Sequence, residues 1–178
     1  DETFADKYLS WIALLASTDA DMIMLDDDFR LSNRPGGFGC FCEKHMKLIC
    51  ERLDETISRE QLVEKAYRSG KNKYRDAYLD IEGETLRSFA KRLRSAVDKV
   101  NPDMRLGACA CISTWDGDGI DSIEISRILA GKTKPFMRFI GAAYWAAGAH
   151  GMCVFANKLG YIIEIERMQA HWCNGLGI

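Results

Sequence analysis

Hydrophobic residues recur along the chain at two spacings, one typical of helices and one typical of strands. Near the start, apolar residues three or four positions apart predict an amphipathic helix; they include Phe4, Tyr8, Trp11, Ile12 and Leu15. The run "MIML" at 22–25 is bounded by polar residues and too short for a helix, so it predicts a buried strand. Helical spacing resumes over 42–55. A capping box at Ser58 and Gln61 then predicts the start of further helix, which ends before Pro102.

The second half of the chain repeats this alternation. Residues 104–113, 135–145 and 161–166 predict three further strands, and 121–132 predicts a short helix closed by Gly131. Strands alternating with helices predict an α/β fold with right-handed crossovers and a parallel sheet. We expect residues 1–178 to form a single domain.

Acidic and aromatic residues follow three of the four predicted strands. They are Asp26 to Asp28 after the first, Trp115 with Asp116 and Asp118 after the second, and Glu164 with Glu166 on the fourth. In parallel α/β folds the active site lies at the carboxyl ends of the strands, so this placement favours an enzyme. Two facing carboxylates are the catalytic groups of a glycosidase. The alternative is that these acids are helix caps and solvated loop residues.

A second motif is the sequence "CFCEKH", in which Cys40, Cys42 and His45 form a C-x-C-x-x-H cluster. Thiolate and imidazole are zinc ligands, and a closed structural zinc site needs four of them. The cluster predicts a structural zinc site whose fourth ligand comes from elsewhere, for instance Cys109 or Cys111, or from outside this chain. The alternative is that the two cysteines are small buried residues and the histidine lies on a helix surface.

Composition narrows the function classes. The net charge of -2 gives no basic surface of the kind that nucleic-acid binding requires. No apolar run approaches the roughly 20 residues that span a bilayer. The seven cysteines are an odd number in a chain large enough to fold without disulfides, which favours a reducing, cytoplasmic location.

Two of these motifs together carry a resemblance to a known family. The segment "LDDDFR", followed by a loop and "CFCEKH", resembles the microbial zinc-containing beta-galactosidases, glycoside hydrolases of clan A with a (β/α)8 barrel. The resemblance implies a partial TIM barrel that contains strands 4 to 7 with their helices. It places Asp28 where the family has its acid/base glutamate, and His45 where the family has a third cysteine. The stretch "IEIERMQAHW" similarly resembles the region of the family's nucleophile, which implies that role for Glu164 and a substrate wall at Trp172.

The resulting prediction is a glycoside hydrolase in which Asp28 donates a proton and Glu164 is the nucleophile. We expect Asp26 and Arg30 to position the carbohydrate or tune the acid, and the remaining substrate contacts to come from Trp115, Glu166 and Trp172. A half barrel would expose strand edges, so we expect the other strands to come from a complementary chain or segment, or from another copy of this chain in a homo-oligomer.

Two other functions stay open from the sequence. The aspartate triplet contains D-x-D, a pattern that binds Mn²⁺ or Mg²⁺ in glycosyltransferases through hard oxygen ligands. Alternatively, the chain is a non-catalytic carbohydrate-binding or interaction module, in which the acids bind sugar hydroxyls and the Cys/His cluster is structural.

Overall fold

The computed structural model describes residues 1–26, 29–31, 39–68, 70–110, 119–139 and 159–178. These ranges contain six helices and three strands. The helices are α1 (Glu2–Ala16), α2 (Glu43–Leu53), α3 (Arg59–Ala66), α4 (Lys73–Asp98), α5 (Ser122–Ala130) and α6 (Leu159–Gly175). The strands are β1 (Met22–Leu25), β2 (Arg105–Ala110) and β3 (Met137–Phe139). None of the described helices is long and apolar enough to cross a membrane.

The three strands form one parallel sheet in the order β1-β2-β3. Ile23 pairs with Leu106, and Cys109 pairs with Arg138. In β1 only alternate residues are buried, because successive side chains of a strand point to opposite faces. Helix α5 packs on β2 and contributes the fully buried Leu129 to the core.

The chain divides into two compact units. The first contains the sheet and comprises the described residues within 1–29, 90–113 and 122–178. A buried arginine, Arg94, links three of its elements. The guanidinium donates hydrogen bonds to the backbone oxygens of Met104 at 2.9 Å and Leu129 at 3.3 Å, and to the carboxylate of Asp98 at 2.9 Å. These contacts join α4 to the start of β2 and the end of α5.

The second unit comprises the described residues within 30–89 and 114–121. Its apolar core lies between α2, α3 and the first half of α4, and includes Ile49, Ile57, Leu62, Tyr78 and Ile81. The capping box predicted at the start of α3 is confirmed: the Ser58 side chain accepts from the Gln61 N–H, and the Gln61 side chain accepts from the Ser58 N–H.

Two glycines allow a close backbone approach to α4 in this second unit. A Cβ on Gly83 would collide with the carbonyl oxygen of Gly119, and a Cβ on Gly119 would collide with that of Leu79. Gly119 also has a φ of +64°, a conformation that side chains with a Cβ rarely adopt. The backbone at Gly119 can therefore lie directly against the turn of α4 that carries Glu82.

The predicted partial (β/α)8 barrel with strands 4 to 7 is wrong. The described residues form a small three-stranded parallel sheet with six helices, and the predicted fourth strand at 161–166 lies inside helix α6. At 163–166 isoleucine and glutamate alternate as in a strand. Over the longer window the buried Gln169 and Cys173 are four residues apart, which is helical spacing. Of the predicted strand at 135–145, Met137–Phe139 form β3, and 140–145 lie outside the described residues.

An ion-pair network centred on Glu55, in the connection between α2 and α3, joins this connection to α3 and to the start of α4. Glu55 pairs with Lys73, accepts a hydrogen bond from the Tyr74 hydroxyl at 3.1 Å, and lies 3.8 Å from Nζ of Lys65. The Lys73 ammonium is the largest cause that lowers the pKa of Glu55, and the Tyr74 hydroxyl adds to it. The folded chain thus favours the ionised carboxylate more strongly than the unfolded chain does.

This network predicts a pH-dependent part of the stability. Because the pKa of Glu55 in the folded chain lies below its ordinary value of 4.5, the added stability is present above that value. It is lost as the pH falls through the lowered pKa. Urea unfolding of wild type and Glu55→Gln should therefore show a lower free energy of unfolding for the variant near pH 7, and the difference should shrink as the pH falls below 4.5. A deficit that stays constant with pH would contradict this role.

Candidate metal site

The start of α2 brings together the three residues of the C-x-C-x-x-H motif. Cys42 is the N-cap of α2 in an extended conformation, with φ -65° and ψ 162°, so Cys40 and Cys42 precede the helix and His45 lies in its first turn. One ligand atom from each residue, two Sγ atoms and a ring nitrogen, lie within 4.8 Å of one another. This group could hold a metal ion, and it is the only such Cys/His group within the described part of the chain.

The imidazole of His45 is held in a defined orientation by α4. Its Nε2 lies 3.1 Å from Oγ1 of Thr85, and that hydroxyl donates to the carbonyl oxygen of Ile81 at 2.9 Å. Since the hydroxyl has a single hydrogen, which it gives to Ile81, it accepts from Nε2–H of His45. The arrangement thus assigns the proton of the neutral ring to Nε2 and leaves the lone pair on Nδ1.

A bound metal ion would account for the missing hydrogen-bond partner of Nδ1 of His45. This nitrogen is buried, and no described residue offers it a hydrogen bond. Burial also lowers the pKa of His45, because it disfavours the charged imidazolium, and the nearby Cys40 backbone only partly offsets this. A neutral imidazole with an available lone pair is the form that binds metals. The side chain therefore fits the role of ligand.

The two cysteines have different proton affinities. The pKa of Cys42 is lowered, chiefly by the backbone N–H of His45, and a hydrogen bond from Cys40 also lowers it. The pKa of Cys40 is raised, chiefly by burial of the thiol. Cys42 thus gives up its proton more readily than Cys40 does. Since zinc binds thiolates, metal binding would release the proton of any ligand thiol that still carries one.

The loop before α2 is fastened to α4 by backbone hydrogen bonds. The N–H of Gly39 donates to the Tyr78 hydroxyl, and the N–H of Cys40 donates to Oε1 of Glu82 at 3.2 Å. The ring of Phe41 stacks on that of Tyr78, with 5.5 Å between centroids. These contacts fix the backbone of the loop that carries Cys40 and Cys42 against α4.

Glu82 and Thr85 were not identified from the sequence as part of the site, although the position of Glu82 in its helix indicates a buried carboxylate. Glu82 occupies a core-facing position of α4, four residues after Tyr78 and four before Leu86, and its side chain is fully buried. A carboxylate among core residues at helical spacing indicates a polar partner inside the fold. Which partner it has depends on how α4 packs against the loop before α2, and this is a tertiary contact.

Of the two predicted fourth zinc ligands, Cys109 is not part of this group. Cys109 lies on β2, where its sulfur accepts a hydrogen bond from Arg138 at 3.2 Å. Cys111 lies outside the described residues. No disulfide joins any of the described cysteines.

The predicted carbohydrate site is described only in part. Asp28 and Trp115 lie outside the described residues. Asp26 follows β1, is exposed and lies 3.8 Å from Arg138; Arg30 lies in the loop that follows. The separation between the Asp28 and Glu164 carboxylates therefore stays untested.

The remaining residues of that prediction are on α6. Glu164, Glu166 and Trp172 belong to this helix, so their expected placement on or after a strand is wrong. Glu164 is exposed and pairs with Arg167 at 3.2 Å, one turn along the same helix. Trp172 is 43% exposed.

Within the described part of the chain, the Cys/His group is the predicted site whose residues the structure brings together. Its spacing, the assigned lone pair of His45 and the contacts from α4 support metal binding independently of any family relationship. The resemblance to the zinc-containing beta-galactosidases stays a prediction from short sequence motifs. Comparison of the chain with models of protein families, with curated proteins and with solved structures found no match.

Proposed function

We propose that this chain binds one zinc ion through Cys40, Cys42 and His45, and that the ion stabilises the loop before α2 against α4. The observation that carries the proposal is the buried Nδ1 of His45, which has no hydrogen-bond partner among the described residues, on a ring that has a nitrogen within 4.8 Å of two cysteine sulfurs. Two sulfurs and an imidazole form a donor set that selects zinc over the hard cations Mg²⁺ and Ca²⁺.

A structural role fits the position of the group. The donors come from a loop and the helix that it enters, and neither element is held there by a disulfide. A bound ion would join both to each other and, through Thr85, to α4. Binding free energy at a site of this kind is also folding free energy, because the unfolded chain has no preformed site.

A metal titration tests this function. The metal-free chain, kept reduced, is titrated with Zn²⁺ in competition with a chromophoric chelator, and we expect uptake of one ion per chain. Excess Mg²⁺ or Ca²⁺ should leave the zinc affinity unchanged. A chain that takes up no zinc under these conditions would overturn the proposal.

The glycoside hydrolase activity stays a prediction from the sequence, with Asp28 and Glu164 as its proposed catalytic pair. The placement of Glu164 on α6 removes the strand-end argument for its role, and the resemblance alone now supports it. The D-x-D glycosyltransferase, the carbohydrate-binding module, the complementary chain and the cytoplasmic location also stay predictions.

A further inference from the structure

The Glu82 carboxylate adjoins two of the three proposed ligand residues. Its side chain is fully buried on α4. Its Oε1 lies 3.9 Å from Nδ1 of His45 and accepts the hydrogen bond from the N–H of Cys40 at 3.2 Å. A carboxylate oxygen is itself a zinc ligand. The position therefore raises the question whether Glu82 supports the ligands or is one of them.

The side of the imidazole on which Glu82 lies separates these two roles. A carboxylate that only orients a metal-bound histidine bonds the ring nitrogen that does not touch the metal. In this site the nitrogen that does not touch the metal is Nε2, and it is hydrogen-bonded to the Thr85 hydroxyl at 3.1 Å. Glu82 lies instead beside Nδ1, the nitrogen with the available lone pair. Its oxygen is thus on the side of the ring where the ion would bind.

One distance brings the carboxylate near a shared ion. A nitrogen and an oxygen bound to one tetrahedral zinc ion are about 3.3 Å apart, given the usual zinc–nitrogen and zinc–oxygen bond lengths. Oε1 and Nδ1 are 3.9 Å apart, and Glu82 lies outside the group of donor atoms within 4.8 Å of one another, so the carboxylate would move toward the ion on binding. Gly39 leaves the carboxylate its space, because a Cβ at that position would collide with Oε2 of Glu82.

We propose that Oε1 of Glu82 is the fourth zinc ligand, which completes a site of two cysteines, one histidine and one glutamate. This inference rests on the proposed zinc function and names the ligand that the C-x-C-x-x-H motif lacks. Four protein donors close the coordination sphere and leave no position for water, as in structural zinc sites. The rival arrangement leaves Glu82 as an acceptor for the Cys40 N–H, with water or another donor on the ion.

Cobalt substitution of the full chain distinguishes these arrangements. Co²⁺ takes the place of zinc, and its visible absorption reports the ligands around it. In the wild type the sphere is closed, so added azide should leave the spectrum unchanged. In Glu82→Ala a water molecule takes the open position, so azide should bind and shift the spectrum. The matched control is Glu84→Ala, which removes an exposed carboxylate from the same helix and should behave as the wild type.

Zinc affinity gives a second readout. Glu82→Ala should weaken binding by more than the roughly 10- to 100-fold that the loss of a supporting hydrogen bond costs. X-ray absorption of the zinc-loaded wild type should show two sulfur and two nitrogen or oxygen neighbours. If Glu82→Ala does not fold, Glu82→Gln replaces it, because glutamine keeps the side-chain volume. The azide response and the X-ray absorption of the wild type test the assignment of Glu82 without any variant.

The outcomes separate failure of this inference from failure of the proposed function. A chain that binds neither zinc nor cobalt overturns the proposed function itself. If the cobalt-loaded wild type changes its spectrum when azide is added, only the assignment of Glu82 is overturned. The same follows if the zinc-loaded wild type shows three sulfur neighbours. The same holds if Glu82→Ala matches the wild type in spectrum and affinity.

Discussion

A chain carrying Cys42→Ser will bind zinc more than about 100-fold more weakly than the wild type. Structural zinc sites in small domains bind with about 10–16 kcal/mol, so one of four ligands accounts for about 3 kcal/mol. Serine keeps its proton at neutral pH and is a poor donor for a metal that prefers sulfur. Competition with a chromophoric chelator measures the change directly. Equal affinities for variant and wild type would contradict a role for Cys42 as ligand.

The matched control for this experiment is Cys50→Ser. Cys50 lies on the same helix, is partly buried, and its thiol faces the backbone oxygen of Ile57 at 3.7 Å. It is outside the Cys40, Cys42 and His45 group, so its replacement should leave the zinc affinity unchanged. Zinc should also raise the unfolding temperature of the wild type and of Cys50→Ser, because an ion that binds only the folded chain stabilises the folded chain by mass action. The rise should be much smaller for Cys42→Ser.

Replacing Arg94 with methionine should lower the free energy of unfolding by about 3 kcal/mol. The side chain is 5% exposed, so its hydrogen bonds to Met104 and Leu129 lie in the core of the first unit. Methionine fills similar space but leaves two buried carbonyl oxygens without their donor, and it removes the charge that pairs with Asp98. Urea unfolding followed by circular dichroism measures the loss.

The control is Arg92→Met, two residues earlier on α4. Arg92 pairs with Glu2 at 3.0 Å and with Asp6 at 3.4 Å, but both carboxylates are largely exposed. Ion pairs of this kind contribute about 0–1 kcal/mol, so the variant should differ little from wild type. Equal losses in the two variants would show that buried hydrogen bonding is not what Arg94 contributes.

Local patterns in the sequence predicted the helices around the candidate site. The capping box at Ser58 and the helical spacing of 42–55 depend on residues three or four positions apart, and the structure has helices there. The Cys/His group was likewise visible, because an extended segment entering a helix brings Cys40, Cys42 and His45 together without any distant partner.

The barrel prediction failed where a short pattern fitted two structures. Alternation of isoleucine and glutamate over 163–166 is compatible with a strand. A strand forms only where a neighbouring strand accepts its hydrogen bonds, whereas a helix satisfies its own backbone groups. The choice between them depends on tertiary packing, and here residues 159–175 form helix α6.

Residue types and their spacing along the chain were enough to identify a Cys/His group that could hold a metal ion. They could not identify Glu82, which is 37 positions from His45 and comes within 3.9 Å of it only because α4 packs against the loop before α2. The same packing places the Thr85 hydroxyl next to Nε2 and so leaves the lone pair of the ring on Nδ1. Local contacts can be read from neighbouring residues, whereas contacts between distant segments arise from burial of the shared core, which only the folded chain displays.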